Sequence, residues 1–263
     1  MTVRTIPRGL APVVQLLELE QPRVVTAADL TEFALEAGVE WPTSLIAQRL
    51  RQLGWLLPLA TKGVWEFAPA ARAGAFGSGD PLIELRAVLA RDPKVRFAVA
   101  AESAAYLLGF ASRRPEIECV GAPPGIRPPK SFCGYRIVRW APSAAVMHRE
   151  GLPVWSPATL LAFMATRPAG YHDWPNVGEW LPQAAQSTKA NDLVDELADR
   201  PAAAWLRAAY LMERGGAADV ASVIAESAPA GRGPYYLGDR HGRGRFHAAY
   251  DVIDSTGFEV GST

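Results

Sequence analysis

The chain has 263 residues, of which 49 % are hydrophobic, with 27 Lys+Arg balanced by 27 Asp+Glu. The length exceeds one average domain and suits two. Zero net charge excludes a global pull on nucleic acid, so any such contact must come from a local basic patch.

Three short helices are expected first. Residues 10–20 carry Leu10, Val13, Val14, Leu16, Leu17 and Leu19 at a period near 3.6. Thr26 reads as the N-cap of a second helix, with Asp29 as its capping-box partner and Gly38 as its end. Pro42 and Thr43 start a third, which Gly54 stops, with Leu45, Ile46, Leu50 and Leu53 facing inward. Two apolar runs, 55–59 and 64–67, flank the turn 60–63 and predict a β-hairpin, with Pro58 on an edge strand. The Ala-, Gly- and Ser-rich stretch 68–80 marks a boundary between residues 1–74 and a domain over 80–263.

Beyond it, Pro81 opens a helix through Leu82, Leu85, Val88 and Leu89. Strands are predicted at 95–100, 117–120 and 135–140, with a short helix at 103–108 closed by Gly109. Helices come next at about 156–166, 177–186, 190–198, 201–213 and 217–226. A Gly- and Arg-rich tail begins at Gly231 and holds a last strand at 250–253. Trp65, Trp140, Trp155, Trp174, Trp180 and Trp205 are assigned to cores and seams. The fold class is α+β: an amino-terminal winged helix-turn-helix joined to a larger mixed α/β domain.

In that arrangement the third helix enters the major groove and the hairpin lies along the backbone. With the apolar residues inward, Thr43, Ser44, Ala47, Gln48, Arg51 and Gln52 face out, and Arg49 lies at the border. Gln can pair with adenine and Arg with guanine, while Ser, Thr and further Arg hold phosphates. Lys62 at the hairpin tip is placed to meet a phosphate. From Trp41 to Trp65 there are three basic residues and no acid. Three charges make a small footprint, so tight binding calls for a dimer or several copies on neighbouring half-sites. The plainer alternative is a protein-interaction module with solvated arginines.

Signals for catalysis and targeting are sparse. His148, His172, His241 and His247 form no zinc spacing, and neither a P-loop nor G-x-S-x-G occurs. No cofactor is expected, and the chain is not expected to be an enzyme. Asp239, His241 and His247 are the one candidate metal group, in a stretch whose Arg240, Arg243 and Arg245 are candidate contacts for phosphate or a partner. Its plain reading is a flexible basic loop. Cys119 and Cys133 are expected to be reduced, buried thiols. The first ten residues lack a signal-peptide core, and no run approaches ~18 apolar residues, so a cytoplasmic protein without membrane contact is expected.

The run Leu50-Arg51-Gln52-Leu53-Gly54-Trp55-Leu56, followed by Lys62-Gly63-Val64-Trp65-Glu66-Phe67-Ala68-Pro69, resembles the end of the winged helix in AbiEi-type antitoxins. Asp80-Pro81, the stretch Ala98–Gly109, Thr166-Arg167-Pro168 and the run from Arg200-Pro201 to Gly215-Gly216 continue the resemblance, which is nearest the actinobacterial branch. It implies an antitoxin of a two-gene system whose toxin is nucleotidyltransferase-like. The winged helix would repress the pair's own promoter at inverted repeats, and the larger domain would neutralise the toxin, with or without direct contact. Two other readings stand beside it: a ligand-sensing repressor, and a nucleic-acid-targeted enzyme using residues 239–247.

Overall fold

The computed structural model describes residues 6, 8–71 and 77–260. The chain is α+β and divides into two compact units, Met1–Val95 with Pro129–Cys133, and Arg96–Pro128 with Gly134–Thr263.

In the first unit, α1 (Ala11–Glu20), β1 (Val24–Thr26), α2 (Ala27–Glu36), α3 (Thr43–Gln52), β2 (Leu56–Pro58), β3 (Val64–Phe67) and α4 (Ile83–Arg91) occur in that order. The capping box forms: Asp29 N donates to Thr26 Oγ1 at 3.1 Å, and Thr26 N to Asp29 Oδ2 at 2.7 Å. The predicted hairpin β2–β3 is joined by a third strand, β1, which the sequence reading did not anticipate. The sheet order is β1-β3-β2, antiparallel throughout, with Val25 opposite Trp65 and Leu57 opposite Glu66. Pro58 lies on the edge strand, where its missing N–H costs no ladder bond. Leu10, Val13, Leu17, Leu30, Ile46 and Leu50 form the centre of the core, fully withdrawn from solvent. The helix α4, grouped by sequence with the domain over 80–263, instead packs on β1 and β3 through a face that buries Leu85, Ala87 and Val88. A short 3-10 helix, Lys130–Phe132, also belongs to this unit. It touches α4, buries Phe132 and brings Ser131 Oγ to 3.3 Å from Thr61 Oγ1.

The second unit holds β4 (Ala98–Val99), α5 (Ala101–Leu107), β5 (Cys119–Ala122), β6 (Arg136–Arg139), β7 (Met147–Arg149), β8 (Leu152–Val154), α6 (Pro157–Thr166), α7 (Val177–Gln186), α8 (Ala190–Leu197), α9 (Ala202–Arg214), α10 (Ala218–Glu226), β9 (Tyr235–Leu237), β10 (Arg245–His247) and β11 (Val252–Asp254). The five helices predicted from 156 onward form within a residue of their expected ends. The strand expected over 95–100 shrinks to two residues, and the hairpin β7–β8 was not anticipated. The main sheet runs β6-β5-β4-β8-β7, with parallel β5–β6 and β4–β8 pairs and antiparallel β4–β5 and β7–β8 pairs.

Helix α6 is buried on every side from Ala158 to Ala165, as expected of a helix without a polar face, and packs on α5, α8 and α9. Ser156 caps it, accepting from Thr159 N at 3.1 Å, with Pro157 in the first turn. Trp140 and Trp155 each meet Phe163 of this helix edge to face and lie tilted to one another, with ring centroids 5.3–6.3 Å apart. Gly121 in β5 is required by this packing, since a Cβ there would lie 2.7 Å from Trp155 Nε1. Beside the cluster, the buried Glu196 carboxylate accepts from Thr159 Oγ1 at 2.6 Å, Ser143 N and Ala144 N at 3.0 Å, and Trp140 Nε1 at 3.3 Å.

The tail departs from its sequence reading. Residues 235–237 and 245–247 are strands flanking β11, β9 parallel to it and β10 antiparallel. The stretch read as a flexible basic loop is therefore partly strand, and its free turn is confined to residues 238–244.

Candidate functional site

Helix α3 buries Ile46, Ala47 and Leu50. At 100° per residue these centre the inner face between positions 46 and 47, which rotates the helix relative to the sequence reading. Leu45, expected inside, is 38 % exposed, whereas Ala47, expected outside, is buried. Thr43 is half-buried and turns toward α2, with its Oγ1 2.8 Å from Thr31 Oγ1. Ser44, Gln48, Arg49, Arg51 and Gln52 are exposed and share the surface with Leu45. Arg49 Nη1 donates to Gln52 Oε1 at 3.3 Å.

Lys62 is exposed at the hairpin tip, beside Gly63 at φ 76°, a left-handed turn conformation that suits glycine. The turn is anchored from behind by α4. Ala60 N donates to Glu84 Oε1 at 2.7 Å and Thr61 Oγ1 to Glu84 Oε2 at 3.0 Å. Ala27 N, in the first turn of α2, donates to Gly63 O at 3.1 Å. Lys62 thus projects from a turn fixed on both sides. Nothing local in the sequence marked Glu84 for this task, because its partners lie more than twenty positions away.

The second unit contains a buried polar cluster that sequence reasoning missed. Ala101 begins α5 at φ 46°, a conformation that costs an alanine roughly 1–2 kcal/mol. The turn leaves Glu102 buried as the one charged residue of the helix. Its carboxylate pairs with Arg136 of β6 and accepts His172 N at 2.6 Å. Arg136 also donates to Gly170 O at 2.8 Å and to Cys119 Sγ at 3.1 and 3.3 Å. Its Nη1 lies 3.1 Å from His172 Nε2; since a guanidinium can only donate, that nitrogen accepts. The cluster ties α5, β5, β6 and the 170–172 loop together.

Cys119 is buried here as expected, but Cys133 is exposed, because it comes directly after Phe132, which takes the buried position at that turn. Burial pushes the Cys119 thiol up to about 11, and the Glu102 charge adds to it, so the nucleophilic thiolate is suppressed at neutral pH. An alkylating reagent is expected to modify Cys133 in the native protein and Cys119 only after unfolding. Peptide mapping after a timed iodoacetamide pulse would show this, and equal labelling of both would contradict the assignment.

In the tail, Arg240 and Arg243 lie exposed in the β9–β10 turn, with the Arg240 guanidinium 5.8 Å from the Tyr236 ring centroid. Arg245 and His247 stand on β10. His247 packs on Tyr210, centroids 4.6 Å apart, while His241 N turns back to Asp239 Oδ1 at 2.9 Å. Among the described residues no three His, Cys, Asp or Glu side chains gather to hold a metal ion, and no helix is long and apolar enough to cross a membrane.

No curated protein matches the chain. A crystal structure of the RV2827C protein from Mycobacterium tuberculosis is similar at 29 % identity and a TM-score of 0.77, over 96 % of this chain and 93 % of that one. Residues 97–214, from the start of β4 to the end of α9, match the family described as the AbiEi antitoxin C-terminal domain. That span holds the main sheet, the Glu102–Arg136 cluster and the α6 core, and over it the chain is similar to the AbiEi antitoxin family, as are the motifs at Ala98–Gly109 and Arg200–Gly216.

Proposed function

We propose that the chain is an antitoxin that also represses its own operon, with residues 1–74 acting as a winged helix on DNA and residues 80–263 neutralising a nucleotidyltransferase-like toxin. The observation that carries the DNA half is the exposed face of α3. It offers Ser44, Gln48, Arg51 and Gln52, with Arg49 at its border, and no carboxylate between Trp41 and Trp65. The order of α1, β1, α2, α3 and the β2–β3 hairpin, with Lys62 on a braced tip, supports the same reading. Leu45 adds a feature the sequence reading had turned inward: an apolar side chain amid polar readers suits the methyl group of thymine. Thr43 serves this interface as a spacer to α2 rather than as a reader.

With few basic residues on this face, a single copy would bind weakly, which favours two copies on an inverted repeat upstream of the gene. In the cell such a protein works in the cytoplasm, beside its operon and its toxin. The family match over 97–214 supports the antitoxin half.

The test is binding of the purified full-length chain to DNA from upstream of its gene, against scrambled DNA of equal length, at two salt concentrations. Specific, salt-sensitive binding is expected. Arg51→Ala should weaken it by about 1–3 kcal/mol if Arg51 reads a base. Equal affinity of wild type and Arg51→Ala at both salts would remove Arg51 from the interface. Absence of any preference for the upstream DNA would demote the first unit to a protein-interaction module. Co-expression with the product of the neighbouring gene tests the antitoxin half, growth rescue being the expected result.

A further inference from the structure

In the second unit a cleft of about 310 Å³ opens between α9, β10 and the chain beyond β11. Its polar wall consists of Tyr210 and Arg214 from α9, Arg245 and His247 from β10, and Asp254 from β11. Arg245 and His247 are two apart on one strand and so share a face. The acid in this wall is already committed. Asp254 Oδ2 accepts from Tyr210 Oη at 2.7 Å, and Oδ1 accepts from Thr256 N at 2.9 Å and Thr256 Oγ1 at 2.6 Å. Glu259, at the mouth, is exposed, so water screens its charge.

The cations are not committed. Arg214 lies against the Phe258 ring, 5.6 Å from its centroid, and its Nε is buried without a hydrogen-bond partner. A buried donor left unpaired is costly, and a guanidinium accepts no bonds, so its missing partner must be an acceptor or an anion. Tyr210 spends its proton on Asp254, so its contact with His247 Nε2 at 3.3 Å requires the imidazole to donate there. That leaves His247 Nδ1 free to take up a proton when an anion arrives.

We propose that this cleft binds a phosphate-bearing small molecule, its phosphate seated among Arg214, Arg245 and His247. Two guanidiniums and an imidazole offer more donors than the two oxygens of a carboxylate can use, whereas a phosphate group presents three or four. The cleft volume lies at the small end of ligand sites, enough for a phosphate with a compact organic body, and Phe258 supplies an apolar surface beside it. This inference stands apart from the DNA reading, since it uses none of its residues on α3 or the hairpin.

The experiment is calorimetric titration of the full-length protein with inorganic phosphate and with adenosine monophosphate, with acetate at matched ionic strength as control. Saturable binding of a phosphate probe but not of acetate is expected, with a rise in melting temperature. Arg245→Gln, at an exposed position that spares the core, and Arg214→Gln should each weaken it about tenfold or more. Tighter binding of the nucleotide than of phosphate identifies an organic phosphate as the ligand; equal binding identifies the phosphate alone. His247 supplies a second readout. Burial, with Arg245 and Arg214, holds its imidazole below the usual value against the opposing charges of Asp254 and Glu213. Its titration, followed by NMR, should move upward in phosphate-saturated protein. No saturable binding of either probe, binding of acetate as tight as phosphate, or affinity unchanged in both arginine variants would overturn the proposal.

Discussion

Arg136→Ala is expected to destabilise the second unit by about 3–5 kcal/mol, the cost of removing one partner from a buried ion pair. The reason lies in what remains. Glu102 is buried and would keep its charge with only the His172 amide and the Cys119 thiol to answer it, and Gly170 O and the Cys119 sulfur would lose the arginine donor. At about 2–4 °C per kcal/mol for a domain of this size, the melting temperature of that unit should fall by roughly 6–20 °C. The double replacement Arg136→Leu with Glu102→Leu removes both charges and should recover most of the loss, because neither ion is then stranded. Thermal unfolding followed by tryptophan fluorescence measures both. A drop below about 1 kcal/mol in the single variant would show that water reaches Glu102 and replaces the arginine.

Glu196→Ala is expected to have a comparable effect, by about 3 kcal/mol or more, for the opposite reason: it removes an acceptor and strands donors. Four groups from two segments, α6 and the 140–144 turn, converge on that carboxylate, two of them the backbone amides of Ser143 and Ala144. With the acceptor gone, the 140–144 turn loses the point at which it is tied to α6 and α8. Glu196→Gln keeps the shape and one carbonyl oxygen but turns an N–H₂ toward donors, so it should lose less, about 1–3 kcal/mol. The ordering Ala worse than Gln, read from urea unfolding, is the test. Equal losses would mean that side-chain volume, and not the acceptor, holds the turn.

The helices were legible because each repeats its apolar residues over three turns or so, and because Thr26, Gly38, Gly54 and Gly109 mark ends by local chemistry. The three-residue strands were not. Val24–Thr26 is too short to show an alternation and reads as the approach to a cap, and β9 is hidden among Gly and Pro residues. The phase of α3 was misread by one position because Leu45 and Ile46 are adjacent. Only one can point at the core, and the choice is made by the packing of α3 on α2 and β2, which pattern alone cannot weigh. The Glu102–Arg136 cluster joins residues 34 apart, so no window could contain it. Its one local trace is a lone acid in Ala101–Leu107, a helix with no other charge. Of the arginines in the cleft, Arg245 was marked by composition, but Arg214, at the end of α9, was not.

The short helix at Lys130–Phe132 makes the first unit discontinuous in sequence. The backbone leaves the first unit after Val95, returns for Pro129–Cys133, and leaves again. A fragment ending at residue 74 or 95 would be made without Phe132 and without the Ser131 hydroxyl that meets Thr61, the neighbour of Lys62 in the hairpin turn. The two halves therefore cannot be exchanged between relatives by a single crossover in the gene. A recombinant that swaps only the amino-terminal half would pair a hairpin from one parent with a brace from the other. Selection on either half should be felt in the loop between β5 and β6, far along the chain from the surface it supports.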